Sequence, residues 1–115
     1  MSRHDDLSRI GHMLESALKV REFVTGLSLE EVRTDEMRAL ALVRLLEIIG
    51  EAARVVSDEF RGANPDIPWA QIVGLRNRLI HGYADVDWDV LWGIVSDDLP
   101  VLVNALEILL NDGKE

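Results

Sequence analysis

At 115 residues the chain holds one domain with one core and not two. It has no cysteine, which excludes disulfides and thiolate metal sites, and 48% apolar residues, which excludes a disordered chain. Twelve Lys and Arg against 21 Asp and Glu leave a formal charge of −9, so bulk attraction to nucleic acid is excluded and any RNA or DNA would need a local basic cleft.

The periodicity predicts a first helix from about Asp5 to Thr25, with an apolar face of Leu7, Ile10, Leu14, Ala17 and Val24. Gly26 is its expected stop. Ser28-Leu29-Glu30-Glu31 is a capping-box pattern and predicts a short extra helical turn near 28–33. Thr34-Asp35-Glu36 offers the next start, and a second long helix is expected from Met37 to Phe60. It is apolar on more than one face (Leu40, Ala41, Val43, Leu45, Leu46, Ile48, Ile49, Ala52, Ala53, Val56), which suits a central helix or a subunit interface.

Arg61-Gly62-Ala63-Asn64-Pro65 reads as a break, and Pro68 suits the first position of a third helix. That helix carries Ile72, Val73, Leu75, Leu79 and Ile80 and is expected to end at Gly82. Asp85-Val86-Asp87 supplies N-cap candidates for a last helical region running through Trp88, Trp92, Leu99 and Leu109, with a kink or restart near Pro100. No segment alternates with period two for long enough to predict a strand. The expected fold is all-α, an antiparallel bundle of four main helices in a single domain spanning the chain. The apolar runs fall short of the ~20 residues a bilayer requires. The first six residues lack a secretory apolar core, so the expected location is cytoplasmic and no membrane contact is expected.

One segment carries chemistry: Gly74-Leu75-Arg76-Asn77-Arg78-Leu79-Ile80-His81-Gly82-Tyr83. On a continuous helix Asn77 and His81, four apart, share a face, and Arg76 and His81 diverge unless the helix unwinds before Gly82. Imidazole exchanges a proton near neutral pH. The competing readings are a C-capping His81, an Arg76 salt bridge to Glu47 or Glu51, and a packed Tyr83.

Arg76-Asn77-x-x-x-His81-x-Tyr83 resembles the signature of HepT-type toxins, small ribonucleases of the HEPN superfamily. The similarity extends to Leu46–Ala53, to Ile67-Pro68-Trp69, and to Val86–Trp92 with Asp98-Leu99-Pro100, and so covers about Asp5 to Leu110. The resemblance implies a HEPN-type helical bundle, a homodimer, and metal-independent RNA cleavage with no cofactor. It makes Arg76 and His81 the catalytic pair, with Asn77 supporting. It further implies a minimal nucleotidyltransferase antitoxin of the MntA type as partner, alone or in a larger hetero-complex, which transfers AMP to Tyr83 and silences the toxin. Arg78 is read as a solvated residue that steers phosphate.

The alternative function is a non-catalytic helical module that binds or presents substrate for a separate nucleotidyltransferase. No metal site is expected. His4 and His12 lie too far apart along a helix, and Asp85-x-Asp87-x-Asp89 lacks the glycine and terminal glutamate of a calcium loop. Trp69, Trp88 and Trp92 are read as core or interface residues.

Overall fold

The computed structural model describes residues 3–82 and 85–113. Helix α1 (Arg3–Val24) buries Ile10, Met13, Ala17 and Val20 completely. The buried stripe is therefore turned slightly from the predicted one: Met13 and Val20 enter the core, while Leu7, Leu14 and Val24 are half-buried. Gly26 adopts φ 78°, the left-handed conformation that stops a helix with no Cβ penalty. Helix α2 (Leu29–Thr34) starts on the expected capping box: Ser28 Oγ accepts from Glu31 N–H, and the Glu31 carboxylate accepts from Ser28 N–H. Val32 pins this short helix to the core.

Helix α3 (Glu36–Arg54) starts on the Asp35 cap and is the centre of the bundle, packed against α1, α2 and the two short helices that carry the motif and its approach. Leu42, Leu46, Ile49 and Ala53 are fully buried, whereas Met37 and Leu40 lie exposed on another face. The predicted continuation to Phe60 does not occur. The helix ends at Arg54, and Ser57 opens a separate α4 (Asp58–Ala63) by accepting from Phe60 N–H. The cause is distant in sequence. Asp6 of α1, 3% exposed, accepts from Ser57 N–H at 2.8 Å and from Ser57 Oγ at 2.7 Å. These bonds engage Ser57 N–H outside the α3 ladder.

The expected break begins at Asn64 rather than Arg61. Trp69 Nε1 donates to Asn64 O, which ties the loop to α5 (Trp69–Val73). Pro68 is the N-cap of α5, one position before the predicted one. The third helix is divided at Gly74 into α5 and α6 (Leu75–Leu79) and does not reach Gly82. Ile80–His81 instead forms strand β1, paired antiparallel with β2 (Asp85–Val86), Ile80 opposite Val86 and His81 opposite Asp85. Gly82 adopts φ 64° as the chain leaves β1. β-Branched Ile80 and Val86 pack half-buried across this ladder, which local helical spacing does not reveal.

Asp87 caps α7 (Trp88–Gly93). A π-helical turn, Ile94–Asp98, then joins α7 to α8 (Leu99–Gly113), with Leu99 N–H donating to Ile94 O. Pro100 has no N–H to give to Ser96, and the widened turn accommodates that gap. The four main helical units are α1, α3, α5–α6 and α7–α8. The fold is all-α with one two-stranded ladder among the described residues.

Candidate active site

Leu75 and Leu79, four residues apart, are buried and fasten α6 to the core. Arg76, Asn77 and Arg78 between them are exposed. The approach of α5 to α3 that places α6 depends on Gly50. A Cβ there would stand 2.9 Å from the carbonyl oxygen of Ile72 and 3.6 Å from that of Val73.

Arg76 and Asn77 line an open cleft of about 250 Å³ together with Glu47, Glu51 and Arg54. Arg76 Nε donates to Glu47 Oε2 at 3.1 Å. Glu47 is the more enclosed partner, its side chain 20% exposed against 63% for Arg76. Glu51 is taken by Arg44 at 3.3 Å. Of the two salt bridges anticipated for Arg76, the structure forms the one to Glu47. It is an anchored cation: the carboxylate holds one edge and the exposed remainder of the guanidinium can receive a phosphate.

Arg78 diverges from this cleft. It stands 4.0 Å from Asp98 at the rim of a separate apolar cavity of about 200 Å³, floored by Leu46, Ile49 and Ile72. The structure thus brings Arg76 and Asn77 together and directs Arg78 elsewhere, two residues on from Arg76 being about 200° around the helix.

His81 departs most from the sequence reading. It is not at a helix C-terminus, does not cap helix carbonyls, and does not share a helical face with Asn77, because α6 ends before it. It stands on β1 with its side chain 64% exposed, and its Nε2 is 3.0 Å from Asp87 Oδ2. Asp87 Oδ1 accepts from Val90 N–H at 3.0 Å, and Asp87 N–H donates to Leu79 O at 2.7 Å. The Val90 amide, then the His81 hydrogen bond, hold the Asp87 carboxyl below the ordinary carboxylate range. Asp87 is therefore an ionised acceptor at neutral pH. From the sequence Asp87 is legible only as a capping residue; its position six residues after His81, across a glycine-containing hairpin, is the signal for the pair. Tyr83 lies outside the described residues.

Among the described residues no group of three or more His, Asp or Glu could hold a metal ion, and no helix is long and apolar enough to cross a membrane.

The model of the HepT-like family, described as ribonuclease HepT-like, matches residues 13–109. The chain belongs to the HepT-like ribonuclease family. A Methanocaldococcus jannaschii protein named a candidate RNase is 41% identical over 109 residues, covering 95% of this chain and all of the relative. The "Probable ribonuclease HepT" of Thermococcus cleftensis is 36% identical over 108 residues, covering 94% and 96% of the two chains. Another M. jannaschii relative, 33% identical over 100 residues, names a gamma-glutamylcyclotransferase together with a candidate RNase; 87% of this chain aligns with 45% of it. No solved structure matches this HepT-like chain significantly.

Proposed function

We propose that this chain is a HepT-type toxin, a metal-independent endoribonuclease that is silenced by AMP transfer to Tyr83. Family membership and the RNase names of the relatives support ribonuclease activity in general. The observation that carries the finer reading is the motif itself. Arg76 and His81 are both largely exposed, each is held by a carboxylate, and both belong to the α6–hairpin edge.

In this reading the RNA 2′-oxygen attacks the adjacent phosphorus and the bond to the 5′-oxygen breaks. His81 takes the 2′-hydroxyl proton, and a second His81, from the other subunit of a homodimer, protonates the 5′-oxygen. Arg76 stabilises the phosphorane oxygens and Asn77 supports it; Arg78, turned away from the cleft towards Asp98, contributes only long-range attraction for phosphate. The exposed Met37 and Leu40 of α3 suit the apolar part of a dimer interface. The partner in the proposed system is an MntA-like nucleotidyltransferase. AMP on Tyr83, two residues along the chain from His81, would add negative charge that repels the substrate phosphate.

The test is incubation of the purified protein with mixed cellular RNA in excess EDTA, beside His81→Ala and Arg76→Ala. Cleavage by wild type alone, leaving 2′,3′-cyclic phosphate ends, is the expected result. No cleavage by unmodified wild type would leave the non-catalytic module as the better reading. Tyr83→Phe is expected to retain cleavage and to escape modification.

A further inference from the structure

His81 on a two-residue strand has little to aim it. Its side chain is mostly in solvent, and β1 fixes only its backbone. An imidazole in that position samples several rotamers and both neutral tautomers, and each wrong state lowers the fraction of molecules able to transfer a proton. Asp87 counters both losses. We propose that Asp87 is the positioning residue of His81: its Oδ2 accepts from Nε2–H, orients the ring, and leaves Nδ1 as the nitrogen that takes or gives the proton. This rests on the ribonuclease reading above and adds a residue to it.

Asp87 is held at three points: its N–H on Leu79 O, its Oδ1 on Val90 N–H, and its Oδ2 on His81 Nε2 at 3.0 Å. The first bond ties it to the end of α6, which carries Arg76. The second ties it to the first turn of α7. One residue thus couples the histidine to the element that bears the arginine. A carboxylate fixed by a helix N-terminus is a stiff anchor, because neither of its oxygens is free to turn away. When RNA loses its 2′-hydroxyl proton to Nδ1, the ring becomes imidazolium and Nε2–H remains on Asp87. The proton on Asp87's side does not move, and the carboxylate only stabilises the new positive charge.

Two substitutions separate this role from capping. Asp87→Asn keeps an oxygen for Val90 N–H but offers N–H to Nε2, which selects the opposite tautomer. Asp87→Ser keeps a cap but is too short to hold the ring. The reaction is followed with a fluorogenic RNA oligonucleotide under EDTA, and the His81 tautomer is read by NMR on protein with isotope-labelled histidine. Expected are Nε2–H in wild type, Nδ1–H in Asp87→Asn, and a kcat lower by about 10- to 100-fold in both variants with KM little changed. That is part of the 10²- to 10⁴-fold that general acid–base catalysis contributes. Unchanged kcat in either folded variant, or Nδ1–H in wild type, overturns the proposal. Should both variants unfold, the wild-type tautomer still decides it. An inactive wild type fails the ribonuclease reading instead, and its tautomer then reports separately whether the His81–Asp87 pair forms.

Discussion

Alanine in place of Gly50 and alanine in place of Gly11 are the same chemical change in two helices, and the structure predicts opposite outcomes. In a helix interior the change is worth about 1 kcal/mol of stability, from reduced backbone freedom in the unfolded chain. At Gly11 of α1 a new Cβ meets nothing within 4 Å, so that gain stands alone. At Gly50 the Cβ lands 2.9 Å from Ile72 O, half an ångström short of the 3.4 Å where ordinary contact begins. The obstacle is backbone, so no rotamer change relieves it; α5 must move away from α3. Overpacking of this kind costs about 1–3 kcal/mol. The propensity gain is common to both variants and cancels in their difference, which isolates the steric cost. Gly50→Ala is therefore expected to be about 1–3 kcal/mol less stable than Gly11→Ala. At about 4 °C per kcal/mol for a domain of this size, Gly11→Ala melts about 4 °C above wild type and Gly50→Ala at or below it. Thermal melts at one fixed protein concentration provide the assay. The displaced α5 carries α6 and Arg76 with it, so RNA cleavage by Gly50→Ala is also expected to fall. Equal melting temperatures for the two variants would refute the close approach on which the placement of α6 rests.

Asp6→Ala leaves the Ser57 amide without its partner and is expected to cost about 1–3 kcal/mol in urea denaturation, while an unchanged midpoint would mean that the break at Ser57 holds without α1. Arg76→Ala is expected to lower cleavage about 100- to 1000-fold, the loss typical of removing a donor to transition-state charge. Arg76→Lys should not restore the rate, and full rescue by lysine would show that a point charge suffices. Glu31, Asp35 and Asp87 are all held below their ordinary values, chiefly by the backbone amides of Ser28, Arg38 and Val90. Depressed carboxyls stabilise the fold fully above about pH 5, and that contribution is lost as pH falls through the ordinary carboxylate range to the depressed values. Melting temperatures should therefore drop below about pH 5, and less steeply in a Glu31→Gln/Asp35→Asn double variant. A double variant with the wild-type slope would rule out these caps as the acid-sensitive groups.

The sequence by itself determined the all-α class, the start of α2 at Ser28, the starts of α3 within Thr34-Asp35-Glu36 and of α7 within Asp85-Val86-Asp87 (the structure selected Asp35 and Asp87 as the caps), and the residues of the motif. These are readable because a helix cap is a bond across three residues, and an apolar stripe is a property of one segment. The family resemblance drawn from Arg76, His81 and their flanks belongs here too, and the family model agrees with it. Only the tertiary structure decided where α3 stops, because the bond that engages Ser57 comes from Asp6, 51 residues away. It decided that Ile80 and His81 leave the helix, since a strand exists only through its partner, here Asp85–Val86. It also decided that His81 faces Asp87 rather than Asn77. Spacing rules assume that one element continues; a helix that ends one residue before Ile80 replaces helical neighbours with ladder neighbours.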